Sequence, residues 1–366
     1  MPMRARTLLA AVLMLTPLAA FAQGAPTRVP ANPTPEQETV LREAIDLHDK
    51  GEFDQAIAKY KAILEKSPTT VAVLYELAYS YLGKKDFAQA MTTARTGAEF
   101  KSDLLPMFYD IMASSLDGQG KPEQAVEMYR KGIAIVPPGA AAQLYHNMAV
   151  TYRESLKKPV EAREALQKAT ALDPLQPDAN LLLGQLFQTA GYPTPAFLAL
   201  STFLLVDPAG GQALPGYGLW RSVLKGGAAT NPDGSPAPPG MMRPAPPSKT
   251  DLGDFRTFDA QLAPAFAAFS RKLDGGTPEV EALIEQVDQL LGTLPVTPSG
   301  PAAQSFVNTH YVPFFVELKR RNFVEPFVYW ASQRAPVPGV IDWLKGNEPR
   351  VRTFLEWASN YTWPKP

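Results

Sequence analysis

Three histidines are the first place to look for chemistry, because a neutral imidazole serves both as metal ligand and as general base. They are His48, His146 and His310, and none has a second histidine at the spacing that puts two ligands on one helix face. His310 lies seven residues before Glu317, but Pro313 interrupts the helix that would align them. Ser155-Leu156-Lys157-Lys158 has the spacing of an acylating serine–lysine pair. No Ser-Asp-Asn or Lys-Thr-Gly companion follows, so the tetrapeptide reads as a solvated turn. Gly226-Gly227 and Gly234 lack the lysine and the following helix that make a phosphate cradle. The chain has no cysteine, which excludes disulfides, thiolate nucleophiles and cysteine–zinc sites. The reading therefore nominates no catalytic residue, no metal site and no cofactor, and expects the chain not to be an enzyme.

Bulk composition narrows the partners. The 366 residues carry 35 Lys and Arg against 36 Asp and Glu, a formal net charge of −1. A chain so nearly balanced has no field to gather nucleic acid, and none is expected as partner. Hydrophobic residues make up 45%, enough for packed cores and too many for a disordered chain.

The elements that would position any site come from a repeat. Gln55-Ala56-Ile57, Gln89-Ala90-Met91, Gln124-Ala125-Val126, Glu161-Ala162-Arg163 and Pro195-Ala196-Phe197 align, with their alanines 34, 35, 37 and 34 residues apart. A second series of small residues, Ala44, Ala78, Ala113, Ala149 and Gly184, precedes them. Leu77, Met112, Met148 and Leu183 stand just before the small residue, where the first unit departs with Glu43. Leu47, Tyr81, Leu116, Tyr152 and Phe187 follow it by three. Tyr60, Ala94, Tyr129, Leu166 and Leu200 follow the aligned alanines by four, and Pro68, Ser102, Pro137, Pro174 and Pro208 close the units. Small residues on facing helices let two backbones approach closely, large neighbours fill the gap, and proline ends the second helix.

This register resembles the tetratricopeptide repeat (TPR). The resemblance covers residues 36–208 and implies an all-α, right-handed solenoid of about five helical hairpins. It also implies a concave face lined by places two, five, nine and twelve of each first helix, which binds peptides or protein segments. Carried over, those places give Tyr75 and Tyr79 in the second repeat, Asp110 and Ser114 in the third, His146 and Arg153 in the fourth, and Asp178, Gln185 and Gln188 in the fifth. The family's basic clamp for a C-terminal carboxylate is missing, because Leu41, Ile45, Glu76, Met107 and Ile111 stand where it needs basic and amide groups.

Outside the array, residues 1–22 read as a signal peptide. Arg4 and Arg6 lead into the apolar run Leu8–Leu15, and Ala20-Phe21-Ala22 offers a cleavage site before Gln23. The expected location is the periplasm or the exterior, with no membrane span in the mature chain. Residues 23–35 read as a flexible lead-in. Pro208–Thr250 holds nine prolines and eight glycines, so residues 209–250 read as a linker, within which Leu214–Leu224 caps the last repeat.

Helical patterns return in residues 251–366, expected as a smaller helical C-terminal domain. Pro264 is expected to kink or break its first helix, Thr277-Pro278 to start the second, and Asn347-Glu348-Pro349 the last. The last 66 residues hold 13 of the 36 aromatics and four of the five tryptophans. The expected function is an exported adaptor or scaffold that binds a protein or peptide in its groove, in envelope assembly or secretion. A cell-wall enzyme or glycan-binding factor with its active surface in residues 251–366 is the alternative. A homo-oligomer that swaps or stacks terminal repeats is a further one.

Overall fold

Residues small enough to let helices nest set the architecture. In the computed structural model, which describes residues 26–226, 252–298 and 302–364, Ala44, Ala56, Ala78, Ala90, Ala113, Ala125, Ala149, Ala162 and Ala196 have no exposed surface. At the matching place in the fifth repeat, a Cβ on Gly184 would lie 2.6 Å from Leu200 Cγ. There the neighbouring helix has come so close that only glycine fits.

Five antiparallel hairpins result. They are α1 (Pro35–Asp49) with α2 (Phe53–Lys66), α3 (Val71–Gly83) with α4 (Phe87–Gly97), and α5 (Leu105–Gly118) with α6 (Pro122–Ile135). The last two are α7 (Ala141–Glu154) with α8 (Pro159–Leu172), and α9 (Pro177–Thr189) with α10 (Pro193–Val206). Each hairpin packs on the next, so α2 meets α3, α4 meets α5, and so on. The turn inside every hairpin passes through left-handed backbone, at Gly51, Lys85, Gly120, Lys157 and Gly191. The fourth turn is one residue longer than the others. Its closing bond runs from the Lys158 N–H to Tyr152 O, six residues back, where the equivalent bond from Lys121 reaches five back to Leu116. Ser155-Leu156-Lys157-Lys158 is that lengthened turn.

The array is braced at its start and covered at its end. Thr34 caps α1 with a reciprocal Gln37 bond. Residues 26–34, expected to be flexible, lie in extended form against the inter-repeat loops. The Lys101 N–H donates to Arg28 O at 2.8 Å and the Ala31 N–H to Thr69 O at 3.0 Å, while the Arg28 guanidinium sits over Phe100. Backbone groups of the lead-in thus find partners that a free chain would leave to water. At the other end α11 (Ala213–Leu224) packs on α10, and its fully buried Trp220 donates to Ser201 Oγ at 2.8 Å. This is the expected capping helix.

The C-terminal helices are α12 (Arg256–Asp274), α13 (Glu279–Leu291), α14 (Phe306–His310), α15 (Val312–Arg320), α16 (Val324–Ala331), α17 (Val340–Gly346) and α18 (Glu348–Ser359). They pack around α10, which is buried on nearly every side. Its sequence, PTPAFLALSTFLLV, carries no charge and only three hydroxyls, as suits a helix wrapped by others. Phe197 meets Phe258, Trp220 meets Phe327, and one hydrophobic core runs from the first hairpin to α18.

One local expectation fails and another holds with its cap shifted by one residue. α12 runs unbroken across Pro264; the buried stripe Phe258, Leu262, Ala265 and Phe269 holds it against α13 and outweighs one lost backbone bond. Helix α13 starts at Glu279 with Pro278 at the cap, and Thr277 makes no side-chain capping bond. The segment 227–251, with Asn231–Pro247, and the signal region lie outside the described residues. Among the described residues no helix is long and apolar enough to cross a membrane.

Candidate binding groove

The first helices α3, α5, α7 and α9 present their register places side by side. Three separate networks form there. In the first, Tyr79, 44% exposed, lies between the rings of His48 and Tyr75. Centroid distances are 4.8 Å to His48 and 5.9 Å to Tyr75, with all three rings nearly parallel. Phe108 meets the half-buried Tyr75 edge-on at 6.2 Å. His48 is fixed by a 2.7 Å bond between its Nδ1 and Ser80 Oγ. Such a stack offers a rigid apolar platform with phenol groups at its rim. Burial and the neighbouring Glu76 push the Tyr75 phenol up to about 12, so it stays a neutral donor.

The second network joins Asp110, Ser114 and His146. Asp110 accepts from Asn147 Nδ2 at 2.7 Å and from Tyr129 OH at 3.2 Å, and Ser114 Oγ lies 3.3 Å from the same phenol. His146 Nδ1 lies 3.0 Å from Asn147 Oδ1. Burial raises the Asp110 carboxyl above its ordinary range, and the bonds from Asn147, Tyr129 and Ser114 pull it back part of the way. Burial likewise lowers His146, so its imidazole is neutral at neutral pH. Next to this network a cleft of about 450 Å3 opens between the third and fourth repeats, lined by Asp117, Tyr129, Asn147, Val150 and Thr151 among others. Asp117 accepts there from Thr151 at 2.9 Å.

The third network is already occupied by the chain itself. Arg153 donates to Gln185 Oε1 at 3.0 Å and pairs with Glu154 at 2.7 Å. Gln188 donates to Ser222 Oγ of α11 at 3.0 Å, and the exposed Asp178 lies close enough to His146 to act on its charge. The groove therefore narrows in function toward its C-terminal end.

Of the nominated residues, Ser114 lines the cleft, Asp110 and His146 bond to its wall at Asn147, and Tyr75 and Tyr79 form the ring stack. The sequence reading missed four others. His48 stands at the twelfth place of the first repeat, and the register that found Tyr79 also points to it. Asp117 has the same place in the third repeat. Asn147 stands one place beyond the second-network histidine, and Tyr129 reaches in from the second helix α6, where no first-helix rule looks.

The C-terminal helices do not fill this face. Tyr311 OH donates to Asn180 Oδ1 at 2.7 Å, Trp330 Nε1 to Leu205 O at 2.9 Å, and Gln286 Nε2 to Leu224 O at 2.8 Å. These contacts fall on α9, α10 and α11, away from the ring ladder and the cleft. Among the described residues no group of three or more His, Asp or Glu side chains is placed to hold a metal.

Tetratricopeptide repeat family models match residues 47–113 and 142–174. No curated protein matches the chain. Among solved structures it is similar to TTC0263, a thermophilic TPR protein of Thermus thermophilus, at 21% identity, covering 51% of this chain and 98% of that one, with a TM-score of 0.41. It is also similar to pilF of Pseudomonas aeruginosa, at 16% identity over 51% and 88% of the two chains, TM-score 0.40. A third is PilW, a type IV pilus biogenesis factor, at 16% identity over 52% and 91%, TM-score 0.38. With its recurring small residues buried between stacked hairpins and two stretches matched by the repeat models, the chain carries a tetratricopeptide repeat array.

Proposed function

We propose that the protein is an exported, non-enzymatic adaptor that binds an extended segment of a partner protein along α3, α5 and α7, in envelope assembly or secretion. The observation that carries the reading is the ring ladder of His48, Tyr79 and Tyr75 beside the open cleft at Asp117. Aromatic faces and unspent polar groups on rigid helices are what peptide recognition needs. Packing fixes these side chains before any ligand arrives, so little ordering entropy is lost on binding. The export part of the reading rests on the sequence of residues 1–22.

A photo-crosslinking residue at Tyr79, introduced in intact cells, tests it. A discrete partner trapped at Tyr79, and none at the exposed Leu214 of α11, is the expected outcome. Equal trapping at both positions contradicts a groove-specific role.

One observation favours the glycan-binding reading. A cleft of about 470 Å3 is lined by Pro313, Glu317, Arg321, Trp357, Asn360, Tyr361 and Thr362. Trp357 is held there by stacking on Phe314 at 4.9 Å. Quenching of tryptophan fluorescence by soluble peptidoglycan fragments, lost in Trp357→Ala, would support it, and an unchanged signal removes it.

A further inference from the structure

The charge of the groove specifies its occupant further, on the assumption that the groove binds a segment at all. We infer that the bound segment carries a lysine or arginine whose side chain seats in the cleft between the third and fourth repeats, its charged head at Asp117 and beside Asp110.

At places two, five, six, nine, twelve and thirteen of the five first helices, carboxylates outnumber guanidiniums seven to two. The two are Arg42 and Arg153, and Arg153 is committed to Glu154 and Gln185. Glu76 feels burial and the like charge of Asp49, Asp110 faces Asn147, Tyr129, Ser114 and His146, and Asp117 accepts from Thr151. Some carboxylates elsewhere do have cation partners: Glu43 pairs with Lys59, Glu99 with Arg28, Glu285 with Lys272, and Asp288 with Lys319. Carboxylates without a strong cation partner thus stand where a ligand would lie.

Burial makes that charge costly. The Glu76 and Asp110 carboxyls are both held above the ordinary carboxylate range by loss of water. The one cationic candidate next to Asp110 is His146, which burial keeps neutral. A carboxylate already stripped of water gains more from a cation than an exposed one does, because most of the desolvation cost has been met in folding. The walls match the side chain as well. Val150 offers an apolar stretch for methylenes, while Asp117, Asn147 and Thr151 offer acceptors for a charged head. A volume of about 450 Å3 admits one long side chain with room to spare.

The test uses the full chain and pools of short fluorescent peptides, each pool fixing Arg, Lys, Gln, Asp or Glu at one position. Anisotropy gives the affinities. Arg and Lys pools are expected to bind about tenfold tighter than Asp and Glu pools. The preference should shrink as ionic strength rises from ~0.01 M to ~0.15 M and the screening length falls from ~30 Å to ~8 Å. Asp117→Asn should remove most of the preference. Asp110→Asn should do the same, its folding checked by thermal melting. Pools that bind without charge preference, or a preference that survives both variants, overturn the inference and leave the groove standing. Failure of every pool to bind overturns the groove reading itself.

Discussion

Lys157 occupies left-handed backbone at φ 54° in the lengthened fourth turn, and Lys85 does the same at φ 65° in the second. An L-residue with a Cβ loses roughly 1–2 kcal/mol in that conformation, partly offset because glycine gives up more entropy on folding. Lys157→Gly is therefore expected to stabilise the protein by about 0.5–1 kcal/mol, read from urea unfolding, without touching any packed surface. Gly184→Ala is expected to do the opposite. Its new methyl meets the fully buried Leu200 at 2.6 Å, and overpacking of this kind costs about 1–3 kcal/mol. At this scale the sequence is readable wherever a residue type has one purpose, as with the buried alanines and the closing prolines. The turn glycines Gly51, Gly120 and Gly191 carry the same period, but lysine at the other two turns hides it. A left-handed lysine leaves no mark in composition.

Helix α10 is the element on which the molecule turns. The array alone would need it covered on one flank; its uncharged, mostly apolar sequence requires cover on both, and α11, α12 and α16 supply it. That requirement is written in the sequence, but the repeat register treats α10 as an ordinary second helix and so passes over it. Polar bonds fix how the C-terminal helices sit on it. Tyr311→Phe would leave the buried Asn180 Oδ1 without the phenol donor, and a buried acceptor left unpaired costs about 1–3 kcal/mol. The expected result is a lower urea midpoint with an unchanged slope. A change in slope would mean that the C-terminal helices unfold as a separate unit. Helix α12 gives the converse lesson. Pro264 is a valid local stop signal, yet a stripe of buried phenylalanines across it decides the outcome, and the sequence shows the proline more plainly than the helix it packs against.

At the scale of the whole molecule, two buried groups of the C-terminal helices respond to pH with opposite sign. Burial lowers His310, packed against Phe306, Tyr311 and Trp363, to about 4. The unfolded chain then binds the extra proton, so this group removes stability as pH falls from about 6.5 toward 4. Burial raises Asp259, which accepts from Thr194 at the start of α10, to about 6. Here the folded chain binds the extra proton, so stability is gained as pH falls from about 6 toward 4. The two oppose each other, each on the order of 3 kcal/mol across its window. Melting temperatures across this range should tilt in opposite directions when one group is removed. Asp259→Asn should make the protein more acid-sensitive than the parent, and His310→Phe less so.

The same scale shows why the candidate site is only half legible in the sequence. A first-helix rule finds the residues that face the groove, such as Tyr75 and Asp110. It cannot find Tyr129, which enters from the neighbouring layer, nor show that Arg153 and Gln188 are spent on Gln185, Glu154 and Ser222. Those facts depend on how hairpins stack, which no spacing within one repeat records.

Hydroxyl-radical footprinting of the free protein addresses the open groove most directly. Tyr79 and Met107, 44% and 45% exposed on the first helices of the second and third hairpins, should be oxidised many times faster than Met112 and Met148, which are 1% and 6% exposed inside the third and fourth. Protection of Tyr79 and Met107 to the level of Met112 would mean that the trough is filled by the chain itself, and would contradict the account.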